Sequence, residues 1–254
     1  MDSGPLSARS LACGAMPIRA VTFDFWNTIA VEPVPGSMSD ARHAAVVETL
    51  EAHGVEMDAE HLAGHVAEVI RDREQAWVEG VHVSPAEGAQ RLVAALELEE
   101  AAGEEVAEAF LGVGRGAELG LAPEIGPTLE RLRADGLVLG IVCDAGFTGG
   151  AILREFLASK GLLEHFSGWG FSDEVGAYKP DPRIFEAALA MLEAEPGEAV
   201  HIGDLRRTDI AGARAMGMRS IRYRGLADDP GPGPEADLVL DHHRDVPDLI
   251  ASIA

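Results

Sequence analysis

The sequence is poor in basic residues, and this shortage limits what the protein can bind. Its 254 residues include 20 lysines and arginines against 43 aspartates and glutamates, which gives a formal net charge of −23 at pH 7. Nucleic-acid binding needs a basic surface that neutralises phosphates, so we expect no nucleic-acid partner. An anionic ligand must instead be held by a few local cations, by backbone N–H groups or by a metal.

Cysteines and long apolar segments are also scarce. Cys13 and Cys143 are the only two cysteines, which is too few for a disulfide framework, so we expect reduced thiols and a cytoplasmic protein. The sequence contains no apolar stretch of the roughly 20 residues that a membrane helix needs, and we expect no membrane partner. Residues 1–16 lack the apolar centre of a signal peptide, and we expect a flexible tail there. The oligomeric state is not predicted.

Lysine is rarer still, because the chain uses arginine at nearly all its basic positions. The only lysines are Lys160 and Lys179. A compact ammonium and a planar guanidinium are not interchangeable. The presence of lysine in the segment Gly176-Ala-Tyr-Lys-Pro-Asp-Pro182 therefore indicates that this position requires an ammonium group.

The distribution of apolar residues predicts an α/β protein that contains a separate helical segment. Residues 39 to about 120 show helical spacing, and we expect about four helices with breaks near 53–54, 84–85 and 102–103. Strands and helices alternate in the rest of the chain, which predicts a doubly wound parallel sheet. The expected strands lie at residues 20–23, 137–142, 168–171, 199–202, 220–223 and 237–240, and residues 172–182 are expected to form a loop. We assign residues 17–32 and 123–254 to the α/β core and residues 33–122 to an inserted all-α subdomain.

Polar residues follow several of these strands, at the ends where ligands bind in parallel sheets. They are Asp24, Cys143, Asp144, Lys179, Asp204 and Asp209. The carboxyl ends of parallel strands meet at one edge, so these residues should converge on one crevice. Several carboxylates beside one lysine indicate a site for a hard cation such as Mg²⁺, which usually shares its coordination shell with a substrate phosphate.

Four segments of the chain resemble the ordered motifs of the haloacid dehalogenase (HAD) superfamily. They are Phe23-Asp-Phe-Trp-Asn-Thr28, Leu139-Gly-Ile-Val-Cys-Asp144, Tyr178-Lys-Pro-Asp-Pro-Arg-Ile-Phe185 and the segment from His201 to Ala213. The helical segment between the first two motifs resembles the cap subdomain of that family. The resemblance implies a hydrolase with a Rossmann-like core that uses Mg²⁺ and acts on a small phosphorylated metabolite.

The resemblance also implies roles for five residues. Asp24 would be the nucleophile and a metal ligand, and Lys179 would pair with it and with the phosphate. Asp204 would bind the metal directly, and Asp209 would support it through water. Trp26 would bind the metal through its backbone carbonyl.

Three further positions would contact the substrate. Cys143 occupies the Ser/Thr position that contacts the phosphoryl group in the family, and Thr28 sets the turn after the first strand with a secondary phosphate contact. Asp144 stands where the family usually has asparagine. It could replace a missing catalytic acid, or it could serve only the local turn.

Trp26 is the main departure from the family pattern of a phosphatase. Phosphatases of the family carry a second aspartate at this position, which acts as general acid and base and is typically worth ~10²–10⁴-fold in rate. Haloacid dehalogenases carry an aromatic residue there and need no metal, but they have Ser and Asn where this chain has Asp204 and Arg206. The sequence therefore favours a metal-dependent phosphatase. A C–halogen hydrolase and a nearly inactive phosphometabolite-binding protein remain the alternatives.

The arginines of the helical segment do not identify the substrate. Arg42, Arg71 and Arg73 could reach an anionic substrate, although the sequence favours surface ion pairs for most of them. The segment contains no recognisable ligand code, so the substrate itself is not predicted.

Overall fold

The structure is a computed structural model, and it describes residues 17–253. The expected tail at residues 1–16 lies outside the described residues. Two sheets are present, one of six strands and one of two. The eight strands are β1 (Ala20–Phe23), β2 (Ala30–Val31), β3 (Gly120–Leu121), β4 (Val138–Cys143), β5 (Phe166–Phe171), β6 (Ala199–Gly203), β7 (Arg219–Tyr223) and β8 (Leu238–Leu240).

The larger sheet is parallel throughout and has the order β5-β4-β1-β6-β7-β8. β1 lies in the middle, and all four of its side chains are buried. Val21 and Phe23 belong to one hydrophobic cluster and Ala20 to another, because alternate side chains of a strand point to opposite faces. Helices cover both faces, as a buried parallel sheet requires. The predicted doubly wound, Rossmann-like α/β fold is confirmed.

Six α-helices belong to the described residues of this part of the chain. They are α5 (Ile125–Ala134), α6 (Gly150–Ser159), α7 (Ser172–Val175), α8 (Pro182–Leu192), α9 (Ala211–Met216) and α10 (Val246–Ile253). α5, α6 and α10 contribute to the first cluster, and α8 and α9 contribute to the second. Among the described residues, no helix is both long enough and apolar enough to cross a membrane.

Four consecutive helices, which we call the helical insert, lie between β2 and β3. They are α1 (Ser37–Ala52), α2 (Ala59–Glu79), α3 (Pro85–Ala95) and α4 (Glu100–Gly112). Because β2 and β3 pair in antiparallel fashion, the chain leaves and re-enters the α/β part at one place. The insert has a hydrophobic cluster of its own, which includes Leu92 and Phe110 and is joined by Phe147 from the loop after β4.

Two local predictions are wrong. The helix break expected at residues 102–103 lies earlier, where Glu97 adopts a left-handed backbone with φ 52°. Gly103 lies inside α4 instead, and a Cβ atom there would come within 2.6 Å of Val93 in α3. The glycine thus serves close helix packing rather than a break. Residues 172–182, expected to be a loop, begin with the short helix α7.

Candidate active site

Asp24 follows directly after β1, at the carboxyl edge of the sheet. Its backbone N–H donates to the carbonyl of Ile202 in β6 at 2.8 Å, so the paired strands fix its position. The residue is only 5% exposed. A carboxylate buried to this extent needs partners, because the loss of water penalises its charged form.

Lys179 supplies the main partner. Its Nζ donates to Asp24 Oδ1 at 2.5 Å, to Asp209 Oδ1 at 2.7 Å and to the carbonyl of Val142 at 3.1 Å. These three acceptors use all three N–H donors of the ammonium. Although burial favours the neutral amine, the neighbouring carboxylates raise the pKa of Lys179 well above its usual value, so the group is a cation. One buried charge thereby links two carboxylates.

The carboxylate of Asp209 is held by three groups, of which Lys179 is one. Its Oδ1 also accepts from His201 Nε2 at 3.0 Å, and its Oδ2 accepts from the backbone N–H of Leu205 at 2.9 Å. Burial opposes ionisation of Asp209, but Lys179 and His201 outweigh it and hold its pKa below the usual range. The second ring nitrogen of His201 lies 2.9 Å from the hydroxyl of Thr22, which fixes the orientation of the imidazole.

Asp204 has no comparable support. Its Oδ1 is buried without a hydrogen-bond partner among the described residues. Burial, followed by repulsion from neighbouring carboxylates, raises the pKa of Asp204 to about 8, and the same two causes, opposed by Lys179, raise that of Asp24 to about 7. One oxygen from each of Asp24, Asp204 and Asp209 lies within 4.8 Å of the others. Excess negative charge and an unpartnered carboxylate oxygen fit a metal ion, and the three aspartates could bind one.

A cavity of about 290 Å³ opens beside these residues. Its walls include Asp24, Trp26, Asp144, Lys179 and Asp204, so the structure brings these five predicted site residues together.

The other three predicted residues are buried and do not line the cavity. Asp209 reaches the site through Lys179, as described above. Cys143 ends β4, and burial raises the pKa of its thiol well above the usual value, so the thiol is neutral. Thr28 is fully buried, and its backbone carbonyl accepts a hydrogen bond from His243 Nε2 at 2.7 Å.

Asp144 links the helical insert to the α/β core. Its Oδ1 accepts from the backbone N–H of Lys179 at 2.9 Å, and its Oδ2 accepts from the indole N–H of Trp77 in α2 at 2.8 Å. The guanidinium of Arg207 lies over the ring of the same Trp77, 4.2 Å from the ring centre. Both carboxylate oxygens of Asp144 are thus engaged in holding the walls of the cavity.

His201 and Trp77 belong to the site but were not predicted from the sequence as site residues. Arg73, which the sequence indicated only as one of three arginines that could reach an anionic substrate, also lines the cavity. His201 carries a recognisable signal, because it is the one polar residue within the apolar strand β6. Trp77 and Arg73 are single residues on a long helix, and only the packing of α2 against the core places them beside the cavity.

The sheet and the carboxylate–lysine site place the protein among hydrolases with a doubly wound α/β core. The model of the family described as haloacid dehalogenase-like hydrolase matches residues 18–217, and the chain belongs to this family.

Sequence and structure comparisons name relatives with two kinds of activity. A phosphoserine phosphatase from Thermus thermophilus is 40% identical over 147 residues, which are 54% of this chain and 56% of that protein. The match thus spans about half the length of this curated relative. A 2-haloacid dehalogenase from Pseudomonas syringae pv. Tomato DC3000 superposes with a TM-score of 0.69 at 26% identity and covers 93% of this chain and 100% of its own. A HAD phosphatase from Thermococcus onnurineus gives 0.63 at 25% identity over 92% and 98% of the two chains.

Proposed function

We propose that the protein is a Mg²⁺-dependent phosphatase of small phosphorylated metabolites. The observation that carries this proposal is the cluster of buried carboxylates Asp24, Asp204 and Asp209, each of which offers an oxygen within 4.8 Å of the others. Lys179 binds Asp24 and Asp209, whereas Asp204 Oδ1 has no hydrogen-bond partner among the described residues. We further propose that residues 33–122 form the cap, and that residues 17–32 and 123–254 form the catalytic core of a cytoplasmic enzyme.

The metal site would be formed by Asp24, Asp204 and the backbone carbonyl of Trp26. Asp209, whose two oxygens already accept hydrogen bonds, would act through water. Mg²⁺, when bound, would supply positive charge that lowers the pKa of both raised carboxyl groups and offsets the charge of the phosphoryl oxygens.

Asp24 would act as the nucleophile. Lys179 holds its Oδ1, which leaves Oδ2 to attack phosphorus. A bond would form between Oδ2 and phosphorus while the bond between phosphorus and the ester oxygen breaks, which gives an aspartyl-phosphate, and the departing oxygen takes a proton from solvent. Water would then attack phosphorus and lose a proton to solvent, and the bond between Oδ2 and phosphorus breaks, which releases phosphate and restores the carboxylate. Lys179 would hold Oδ1 of Asp24 in place in both steps, and it would stabilise the charged carboxylate before the attack and after the release of phosphate.

Trp26 cannot protonate the leaving alcohol. Esters with good leaving groups, such as aryl and acyl phosphates, therefore depend less on the missing acid than alkyl phosphates do. We expect a steep dependence of rate on leaving-group pKa, because a general acid is typically worth ~10²–10⁴-fold.

A panel of phosphate esters with graded leaving-group pKa tests the proposal. Each ester is assayed with Mg²⁺ and with a chelator, on the wild type and on Asp24→Asn, and the exposed Asp72→Asn in α2 serves as the control. We expect chelator and Asp24→Asn each to reduce turnover more than ~10³-fold, because both remove parts that act as a unit. Activity that survives the chelator contradicts the metal assignment. Ligand binding without turnover supports the binding-protein alternative.

Trp26 and the likeness to a 2-haloacid dehalogenase favour one second candidate, hydrolysis of a C–halogen bond through an ester on Asp24. This reaction needs no phosphoryl charge to be neutralised. Halide release from a 2-haloacid in the presence of chelator would support it, and strict dependence on Mg²⁺ would exclude it.

A further inference from the structure

A second cavity adjoins the one beside Asp24. Its volume is about 170 Å³, and its walls share Trp26, Arg73, Glu74 and Gly146 with the first cavity. Most of the remaining walls come from α1, which contributes Arg42, and from the loop after β4, and Glu32 and Ile70 complete them. A substrate bound at Asp24 could therefore extend one end into this space.

Arg42 is the buried cation of the second cavity. Only 6% of the residue is exposed. Its hydrogen bonds go to neutral acceptors, the hydroxyl of Thr148 at 2.8 Å and the carbonyl of Met38 at 3.3 Å, while its Nε is buried without a partner among the described residues. Burial lowers the pKa of Arg42 to about 10, so it remains a cation at neutral pH. A buried guanidinium with an unused donor is costly unless an anion joins it.

Arg73 approaches the same space from α2. Its Nε is likewise buried without a partner among the described residues. Its guanidinium lies 5.3 Å from the ring centre of Phe147, and that of Arg42 lies 5.7 Å from the same ring. Both guanidinium groups thus lie near the same aromatic ring and keep an unpartnered Nε donor, and a carboxylate is the acceptor that a guanidinium binds best.

The charges around the cavity favour a singly charged ligand. Glu32 and Glu74 also line it, so two acidic residues face two basic ones. Glu32 is turned partly toward its own loop, where Oε2 accepts from the backbone N–H of Gly36 at 2.9 Å. A carboxylate would satisfy the unused N–H donors with one negative charge, whereas a second phosphate dianion would meet more repulsion from the glutamates.

We propose that Arg42 and Arg73 bind a carboxylate of the substrate, and that the preferred substrates are phosphate monoesters of small carboxylic acids. The proposal rests on the phosphatase function proposed above and adds the chemical class of the substrate to it. It also assigns to the helical insert the residues that select the substrate.

Matched ester pairs test the proposal. Phosphoglycolate is compared with ethyl phosphate, and 3-phosphoglycerate with glycerol 3-phosphate, while p-nitrophenyl phosphate reports the phosphatase activity by itself. The variants are Arg73→Gln and the charge-retaining Arg42→Lys, and the exposed Arg71→Gln on the same helix α2 is the control. We expect the wild type to favour each carboxylate ester at least about 10-fold in kcat/KM.

Arg73→Gln should reduce the preference for the carboxylate ester of each pair, measured as the ratio of the two kcat/KM values, by about 10- to 100-fold, mainly through the KM of the carboxylate ester. Arg42→Lys should act in the same direction, because an ammonium cannot reproduce the bidentate contact. The proposal is wrong if the wild type shows no preference, if Arg73→Gln slows both members of a pair equally, or if propane-1,3-diol bisphosphate is preferred over the carboxylates. Absence of p-nitrophenyl phosphate turnover would instead count against the phosphatase function.

Discussion

Asp144 has two neighbours that belong to different parts of the molecule, Lys179 of the core and Trp77 of the helical insert. Burial raises the pKa of its carboxyl group, although both hydrogen bonds favour the ionised form. With both oxygens accepting, Asp144 is suited to hold the insert over the nucleophile. This arrangement favours a positioning role over that of the missing catalytic acid.

Asp144→Asn separates the two roles. An amide offers only one oxygen, so either the Lys179 N–H or the Trp77 indole loses its acceptor, at a cost of ~1–3 kcal/mol in unfolding free energy. If Asp144 positions the insert, turnover should fall by the same factor for aryl and alkyl phosphates. Steady-state kinetics across leaving groups measures this, and a larger loss for poor leaving groups would establish Asp144 as the acid.

Individual site residues differ in how visible they are in the sequence. Asp24 and Asp204 stand at strand ends and Lys179 lies in the segment between β5 and α8, so the rule that parallel strands meet at one edge is enough to bring them together. Trp77 and Arg73 escape this rule because a helix can turn either face toward the core. Their contribution depends on how α2 packs, which no local pattern specifies.

The packing of α3 against α4 in the helical insert depends on Gly103. A Cβ atom there would lie 2.6 Å from Val93 Cγ1, closer than side chains tolerate. Gly64 in α2 offers a contrast, since nothing lies within 4 Å of its Cβ position. Packing therefore requires glycine at position 103, whereas a larger residue fits at position 64.

Gly103→Ala should therefore lower the free energy of unfolding by ~1–3 kcal/mol, because an overpacked contact forces α3 and α4 apart. Gly64→Ala, the matched control, should raise it by up to ~1 kcal/mol through better helix propensity. Thermal or urea unfolding of the two variants gives both signs. Equal effects of the two alanines would show that the α3–α4 contact adapts freely.

For helices and strands, the sequence predicts which elements exist better than it predicts where each begins and ends. The alternation of strands and helices predicts the sheet, and Ser84-Pro85 predicts the start of α3, where Ser84 and Glu87 form a reciprocal cap. A glycine, however, can either break a helix or allow close packing inside one, and the sequence alone does not distinguish these two roles. Gly103 is read correctly only when Val93 is known to lie opposite.

At the scale of the whole molecule, the C-terminal part of the chain contacts the loop after the nucleophile. His243, in the turn before α10, donates from Nε2 to the carbonyl of Thr28 and stacks on Tyr223 with ring centres 4.0 Å apart. Its Nδ1 is buried without a partner among the described residues. Burial lowers the pKa of His243 to about 4 from its ordinary 6.5.

This histidine should make the fold sensitive to acid. Between pH 6.5 and 4, His243 is protonated in the unfolded chain but neutral in the folded chain. The contribution of this residue to the free energy of unfolding therefore falls as the pH is lowered. His243→Gln removes the contribution and leaves other titrations unchanged. We expect the wild type to lose up to ~3 kcal/mol relative to His243→Gln over this range. Urea unfolding of both proteins at a series of pH values measures it, and a constant difference would contradict it.

Two of the three tryptophans, Trp26 and Trp77, line the cavity that contains Asp24, while Trp169 stacks on Phe171 within the sheet. The indole of Trp77 is joined to the core by a hydrogen bond and to Arg207 by stacking, and both interactions alter its emission. We therefore expect intrinsic fluorescence to give a label-free optical signal when a ligand binds at this site.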